Sequence, residues 1–242
     1  MPDLLRTLLA PVLLVQGRRM FARMPRLDPP DPLPDGPRGD GPPLALMVVG
    51  DSSAAGFGVT HQENALLGQL VERLSARHTV TWTLHARFGS TIPKTTAWLA
   101  RQPAYPVDLA VVALGLNDLI AGAPLATWLG GYQRLVADLR ERFDAGQVVV
   151  SGLPPVGEFP ALPQPMRWVI GRQRDRFDAA LRAWAEAEPG VSYVVTGADA
   201  ETIRHVGEVA VSEVMAADGF HPGPRVYAEW ARRVLETLER DQ

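Results

Sequence analysis

The sequence predicts an α/β fold: a three-layer α/β/α sandwich around a five-stranded parallel sheet, wound in the flavodoxin-like order. Three observations predict it. A continuous apolar run, residues 44–49, and a second largely apolar one, residues 107–114, are each followed by a glycine, Gly50 and Gly115, the pattern of strands buried on both faces. Strand-like segments alternate along the chain with segments whose apolar residues recur at helical spacing, and such alternation calls for a parallel sheet covered on both sides. No internal repeat points to a solenoid or propeller. Right-handed crossovers then leave few topologies, of which the doubly wound sheet is the simplest, with its ligand site beyond the carboxyl ends of the strands where the winding reverses.

The elements follow in order. Residues 1–24 hold an apolar run from Leu8 to Val15 followed by Arg18, Arg19, Arg23 and Arg26. The run is well short of the roughly 20 residues a membrane span needs. Nor is a cleavable signal peptide expected, because Arg18, Arg19, Arg23 and Arg26 come after the apolar stretch, Arg6 alone lies upstream, and no small-x-small cleavage site follows. A helix packed on the protein or on a second copy is one reading. An interfacial amphipathic helix, with leucines in lipid and arginines among anionic headgroups, is the other. Residues 25–43 carry eight of the 22 prolines. Proline fixes φ and removes the N–H donor, so this stretch is expected to serve neither helix nor sheet but to run as an extended linker or strap. The folded domain is therefore expected over 44–242.

Within it, 44–49 is the first strand. Residues 64–77 form a helix on the spacing of Leu66, Leu67, Leu70, Val71 and Leu74, and 79–84 a β-branched and aromatic strand. A helix over 93–101 has Pro93 in its first turn, where a missing N–H costs nothing. The run 107–114 is the third strand. A long amphipathic helix over 125–143, a strand over 147–151, a helix over 166–187, a strand over 191–195 and a last helix over 224–239 complete the pattern.

Composition narrows the function. At 242 residues and 46% hydrophobic, the chain can bury one sizeable core. A formal net charge of −3 with no basic stripe in the body gives no sign of a nucleic-acid partner. The chain has no cysteine, which excludes thiolate nucleophiles, disulfides and cysteine-based zinc sites. His61, His78, His85 and His205 show no ligand spacing, so no metal site is expected. A cytoplasmic location is expected, with peripheral membrane contact through residues 1–24 as the open alternative.

Chemistry gathers at the predicted strand ends. After the first strand comes Gly50-Asp51-Ser52-Ser53-Ala54-Ala55-Gly56-Phe57-Gly58. A serine on a tight turn among small residues can expose its hydroxyl, but it attacks a carbonyl only if an oriented base removes its proton. A capping serine in a strand-to-helix turn is the plainer alternative. Far along the chain stands Asp218-Gly219-Phe220-His221-Pro222. An aspartate three residues before a histidine can take the Nδ1–H and leave Nε2 free as base. Gly115-Leu116-Asn117-Asp118 follows the third strand, where Asn117 can aim an N–H at a developing oxyanion or simply close a turn. Gly89, the only glycine between Gly68 and Gly115, follows the second strand and could donate its backbone N–H to the same oxygen or serve as a turn residue.

These four blocks resemble those of the SGNH (GDSL-type) serine hydrolases, named for Ser, Gly, Asn and His. Gly50-Asp51-Ser52 matches the nucleophile block, Gly89 the glycine block, Gly115-Leu116-Asn117-Asp118 the Gly-x-Asn-Asp block and Asp218–Pro222 the Asp-x-x-His-Pro block. The likeness spans roughly residues 44–230 and departs from the usual pattern in the bulky Arg87 and Phe88 before Gly89. The resemblance implies the SGNH hydrolase fold and a triad of Ser52, His221 and Asp218. It further implies an oxyanion hole of the Ser52 and Gly89 N–H groups and the Asn117 side chain, structural roles for Asp51 and Asp118, and no cofactor. Carboxylic esters are the implied substrates: acyl esters, thioesters or lysophospholipids. Acetylated sugars on the same machinery are the alternative, and a non-catalytic membrane-associated scaffold is a third reading. The proline-stiffened loop 153–166 is expected to cross the rim, with Phe159, Leu162 and Met166 lining an acyl or alcohol pocket, or else to pack on the body. The glycines at 50, 56 and 58 fit neither a dinucleotide nor a Walker loop, and Ser52 does not sit in a Gly-x-Ser-x-Gly elbow.

Overall fold

Both glycine-terminated runs become central strands. The computed structural model describes residues 4–196 and 214–240; His205 lies outside them. β1 (Pro43–Gly50) stands between β2 (Thr79–Ala86) and β3 (Leu109–Ala113), with β4 (Gln147–Ser151) and β5 (Val191–Val194) beyond. The order is β2-β1-β3-β4-β5, and every pairing is parallel. This is the predicted flavodoxin-like sheet. Gly50 pairs with Ala86 on one side and Ala113 on the other, so the carboxyl ends of β2, β1 and β3 finish level. Winding reverses between β1 and β3, which places a crevice at that rim.

The alternation of side chains along the strands builds the three layers. Leu46, Val48, Leu109 and Val111 face one way, onto α2 (Leu66–Leu74) and α7 (Pro224–Arg240). Met47, Val49, Ala110, Val112, Val148 and Val150 face the other, onto α3 (Ile92–Leu99), α5 (Leu125–Phe143) and α6 (Met166–Ala187). A fully buried valine or leucine of this kind contributes about 1.5–3 kcal/mol relative to exposure. Leu46, Met47, Val48 and Val49 are at most 1% exposed, so β1 is anchored hard just before the turn that carries Ser52.

The expected elements differ from the observed ones mainly at their ends. The first domain helix is shorter than expected: a short 3₁₀ turn, Gln62–Asn64, precedes α2, and the chain leaves the helix at Ser75. One helix escapes the sequence reading altogether. Directly after β3, Gly115 takes a left-handed φ of 112° and opens α4 (Leu116–Ala121), so Asn117 and Asp118 sit in a first helical turn rather than in a loop. Six residues closed by Gly122 are too few to show helical periodicity.

Residues 25–43 run along the body as a strap. Asp31 N–H donates to the Thr60 carbonyl at 2.9 Å, the Asp31 carbonyl accepts from Gln62 N–H at 2.8 Å, and Leu33 is buried. The expectation that no part of this stretch serves the sheet is corrected at Arg38, which pairs antiparallel with Val80 on the open edge of β2, and at Pro43, which opens β1. Prolines exclude regular strand, yet one donor-bearing residue between them suffices for a bridge. At the amino end α1 (Leu4–Arg23) lies against α6. Gln16 clamps it there: its side-chain amide donates to the Gln164 carbonyl at 2.6 Å and accepts from the Met166 N–H at 3.2 Å.

Candidate active site

Three loops meet at the rim where the winding reverses. The chain turns immediately after β1, where Asp51 N–H donates to the Ala113 carbonyl at 3.2 Å and the Ser52 carbonyl accepts from Phe57 N–H at 3.0 Å. This turn holds Ser52 at the strand end. The histidine loop precedes α7 and is pinned by a bridge between Met215 and Pro222 and by Ala216 N–H donating to the His221 carbonyl at 2.9 Å. The two loops lie so close that a Cβ on Gly58 would fall 2.1 Å from the Pro222 carbonyl oxygen; only glycine fits there. Tyr227 on α7 adds a bond from its hydroxyl to the Phe57 carbonyl at 2.7 Å.

The result is a continuous relay. Ser52 Oγ lies 2.9 Å from His221 Nε2, and His221 Nδ1 lies 2.5 Å from Asp218 Oδ2. The other carboxylate oxygen, Oδ1, accepts the backbone N–H groups of Phe220 at 2.9 Å and His221 at 3.0 Å. Burial alone would push this carboxyl upward, but the imidazole bond and the two backbone donors outweigh it and hold Asp218 below its ordinary pKa. Asp218 therefore stays ionised and fixes the imidazole with Nε2 toward the serine. Ser52, Asp218 and His221 are all buried, so this charge works in a medium less screened than water. Rings enclose the imidazole: Phe220 at 5.3 Å, Phe88 at 5.9 Å and Phe57 at 6.0 Å between centroids.

Opposite the relay stand Gly89 and Asn117. Arg87 N–H donates to the Gly50 carbonyl at 3.3 Å, which draws the loop after β2 toward Ser52. The backbone N–H groups of Ser52 and Gly89 find no acceptor among the described residues, and the space around Gly89 is open. Asn117 Nδ2 donates to the Ser90 carbonyl at 2.9 Å and approaches Asp51 Oδ2 at 3.4 Å. Two buried carboxyls support this half. Asp51 accepts from Ser53 N–H at 3.0 Å, and Asp118 accepts from Ile92 N–H with both oxygens, at 3.2 and 3.1 Å. Asp118 thereby joins the start of α4 to the start of α3. Desolvation pushes both upward, each to about 6; the hydrogen bonds and, for Asp51, the nearby His221 offset only part of that.

The bulky residues that precede Gly89 have a place. Arg87 stacks its guanidinium 3.7 Å from the Trp98 ring centroid, and Phe88, 61% exposed, lies 5.0 Å from Phe57 at the mouth. Phe57 and Phe220 were not singled out in the sequence, although Phe220 stands inside the histidine block. An apolar cavity lies beside the nucleophile turn; its wall includes Asp51, Ser53, Leu114, Leu153, Phe159 and Phe220. Of the three loop residues expected in a pocket, Phe159 stands in this wall, edge-on to Phe220 at 5.7 Å. Leu162 and Met166 turn into the main core instead, Met166 beneath α1 against Gly17. The docked helix covers Met166. His61 faces Asp31 at 3.4 Å, and His85 bonds Tyr105 at 2.7 Å. Among the described residues no three His, Asp or Glu side chains converge as metal ligands would.

Comparison with known proteins bears on this geometry. The profile of the family described as GDSL-like Lipase/Acylhydrolase matches residues 48–229. The GDSL-like esterase Rv1075c of Mycobacterium tuberculosis is 31% identical over 191 residues, which are 76% of this chain but 58% of that protein. Among solved structures, Axe2, an acetylxylan esterase from Geobacillus stearothermophilus, superposes with a TM-score of 0.61 at 18% identity, over 82% of this chain and 95% of that one. A lipolytic protein of the G-D-S-L family from Veillonella parvula gives 0.59 at 16% identity, over 81% and 98%. At such identities the structural likeness establishes the fold alone.

Proposed function

The chain belongs to the GDSL-like lipase/acylhydrolase (SGNH) family, and from that premise we propose that it is a carboxylester hydrolase acting through an acyl-enzyme on Ser52. The observation that carries the reading is the unbroken relay from Ser52 Oγ through both ring nitrogens of His221 to Asp218, at 2.9 and 2.5 Å.

His221 takes the Ser52 proton as Oγ attacks the ester carbonyl, and Asp218 stabilises the imidazolium that forms. The developing oxyanion is met by the Ser52 and Gly89 N–H groups, which find no acceptor among the described residues, and by the Asn117 amide, whose longer bond to Asp51 is the weaker of its two. Donors aimed in advance at this oxygen need no reorganisation during reaction. His221 then protonates the leaving group, and water, activated by the same base, releases the acid and restores Ser52.

Acyl esters or thioesters suit the surroundings better than acetylated sugars do, because Phe57, Phe88 and Phe220 surround the base and the neighbouring cavity is walled by Leu114, Leu153 and Phe159. The test is steady-state hydrolysis of nitrophenyl and thioester substrates from acetyl upward, beside acetylated sugars. kcat/KM is expected to rise by about fourfold per buried methylene until the pocket is full. Turnover confined to acetylated sugars would replace this reading with a deacetylase; no turnover of any ester would reject catalysis.

A further inference from the structure

Helix α1 has two outer faces laid end to end. Leu8, Val12, Leu14, Val15 and Phe21 are 45–70% exposed and make up five of the seven large apolar side chains exposed among the described residues. Four of these lie between Leu8 and Val15. The turns that follow and the residues after them carry Arg18, Arg19, Arg23 and Arg26, all exposed and all without an ion-pair partner among the described residues. From residue 4 to residue 27 the sequence has five arginines and no carboxylate, in a chain whose net charge is −3. Apart from Arg6, which precedes the apolar stretch, apolar and cationic side chains are thus segregated along the axis.

We infer that α1 docks the protein on an anionic lipid surface, lying along it with its exposed apolar side chains in the acyl boundary and its arginines among the headgroups. The dimensions fit a surface contact: Leu8 to Val15 spans about 10 Å of helix, a third of the roughly 30 Å hydrocarbon core. No described helix is long and apolar enough to cross a membrane, so this contact is made at the surface. Neither feature suffices by itself: a short apolar helix binds lipid marginally, and the adjoining positive charge supplies the second signal. The contact is also held in register with the body. The inner side of α1 is fixed by Gln16 and by buried Met20, and a groove lined by Arg19, Arg23 and Met24 runs to Ala161, Pro163 and Asp218. A surface that binds the arginines therefore lies beside the Ser52–His221–Asp218 rim. The inference concerns binding and stands whether or not the ester reaction proposed above is found.

The experiment is flotation of the full chain with vesicles of phosphatidylcholine alone or mixed with phosphatidylglycerol. Binding is expected only to the anionic vesicles and is expected to fall as salt rises. Arg18→Gln and Arg23→Gln should each weaken it by about fivefold, and Leu14→Glu by on the order of tenfold or more. Circular dichroism of each variant reports whether the fold is kept, independently of turnover. Equal binding to both vesicle types, no binding to either, or a concentration-dependent dimer abolished by Leu14→Glu would overturn the inference, the last by assigning this face to a second copy of the chain.

Discussion

Around Ser52 the two halves of the site use their hydrogen bonds in opposite ways. On the base side each functional atom already has its partner: Asp218 accepts three bonds, and both nitrogens of His221 are engaged. On the opposite side the Ser52 and Gly89 N–H groups find no acceptor among the described residues. The contrast follows from when each half is needed. The base must be oriented before substrate arrives, whereas the oxyanion donors gain their acceptor only as the carbonyl becomes tetrahedral. One half is closed on itself and the other left open, and single substitutions can tell whether that division is real.

The largest effect is expected at the junction of the halves. Ser52→Ala should lower kcat by about a millionfold, leaving only the background supplied by binding and the oxyanion donors. On the base side, Asp218→Asn keeps the shape but presents a neutral amide to Nδ1; it should lower kcat by about ten-thousandfold. A loss of less than tenfold would mean that the relay is structural. On the open side, Asn117→Ala should cost roughly a hundred- to thousandfold in kcat with KM little changed, since its bond strengthens only in the transition state. A rise in KM alone would reduce Asn117 to a tie for the Ser90 carbonyl.

The smallest effect concerns stability. Burial holds the Asp51 carboxyl up at about 6, so between about pH 4 and pH 6 the folded protein keeps a proton that the unfolded chain has lost. This group's contribution to stability therefore falls as pH rises through that window. Asp51→Asn removes the term: its Tm relative to wild type should climb from pH 4 to pH 7. A difference in Tm that is flat with pH would contradict the buried, desolvated setting of Asp51.

The base side was legible in the sequence and the open side only partly. Asp218 and His221 are three residues apart, and Ser52 follows a strand whose apolar run is unmistakable, so local pattern and topology together brought them to one rim. Gly89 and Asn117 depend on backbone geometry that no side-chain pattern announces. The helix carrying Asn117 is six residues long and begins at a left-handed glycine. Phe57 stands beside the imidazole where Gly58 lets the nucleophile turn and the histidine loop touch, and Phe88 joins it from the loop after β2. For the loop 153–166 the sequence left pocket and body packing both open, because the burial of a loop residue depends on what lies over it; over Met166 that is a helix about 150 residues earlier in the chain.

The most direct measurement is mass spectrometry of the protein after reaction with a fluorophosphonate, carried out on wild type and on His221→Ala. The account predicts one adduct, on Ser52, and its loss when His221 is replaced. An adduct on Ser53, or equal labelling of Ser52 without the imidazole, would show that the relay does not activate this serine.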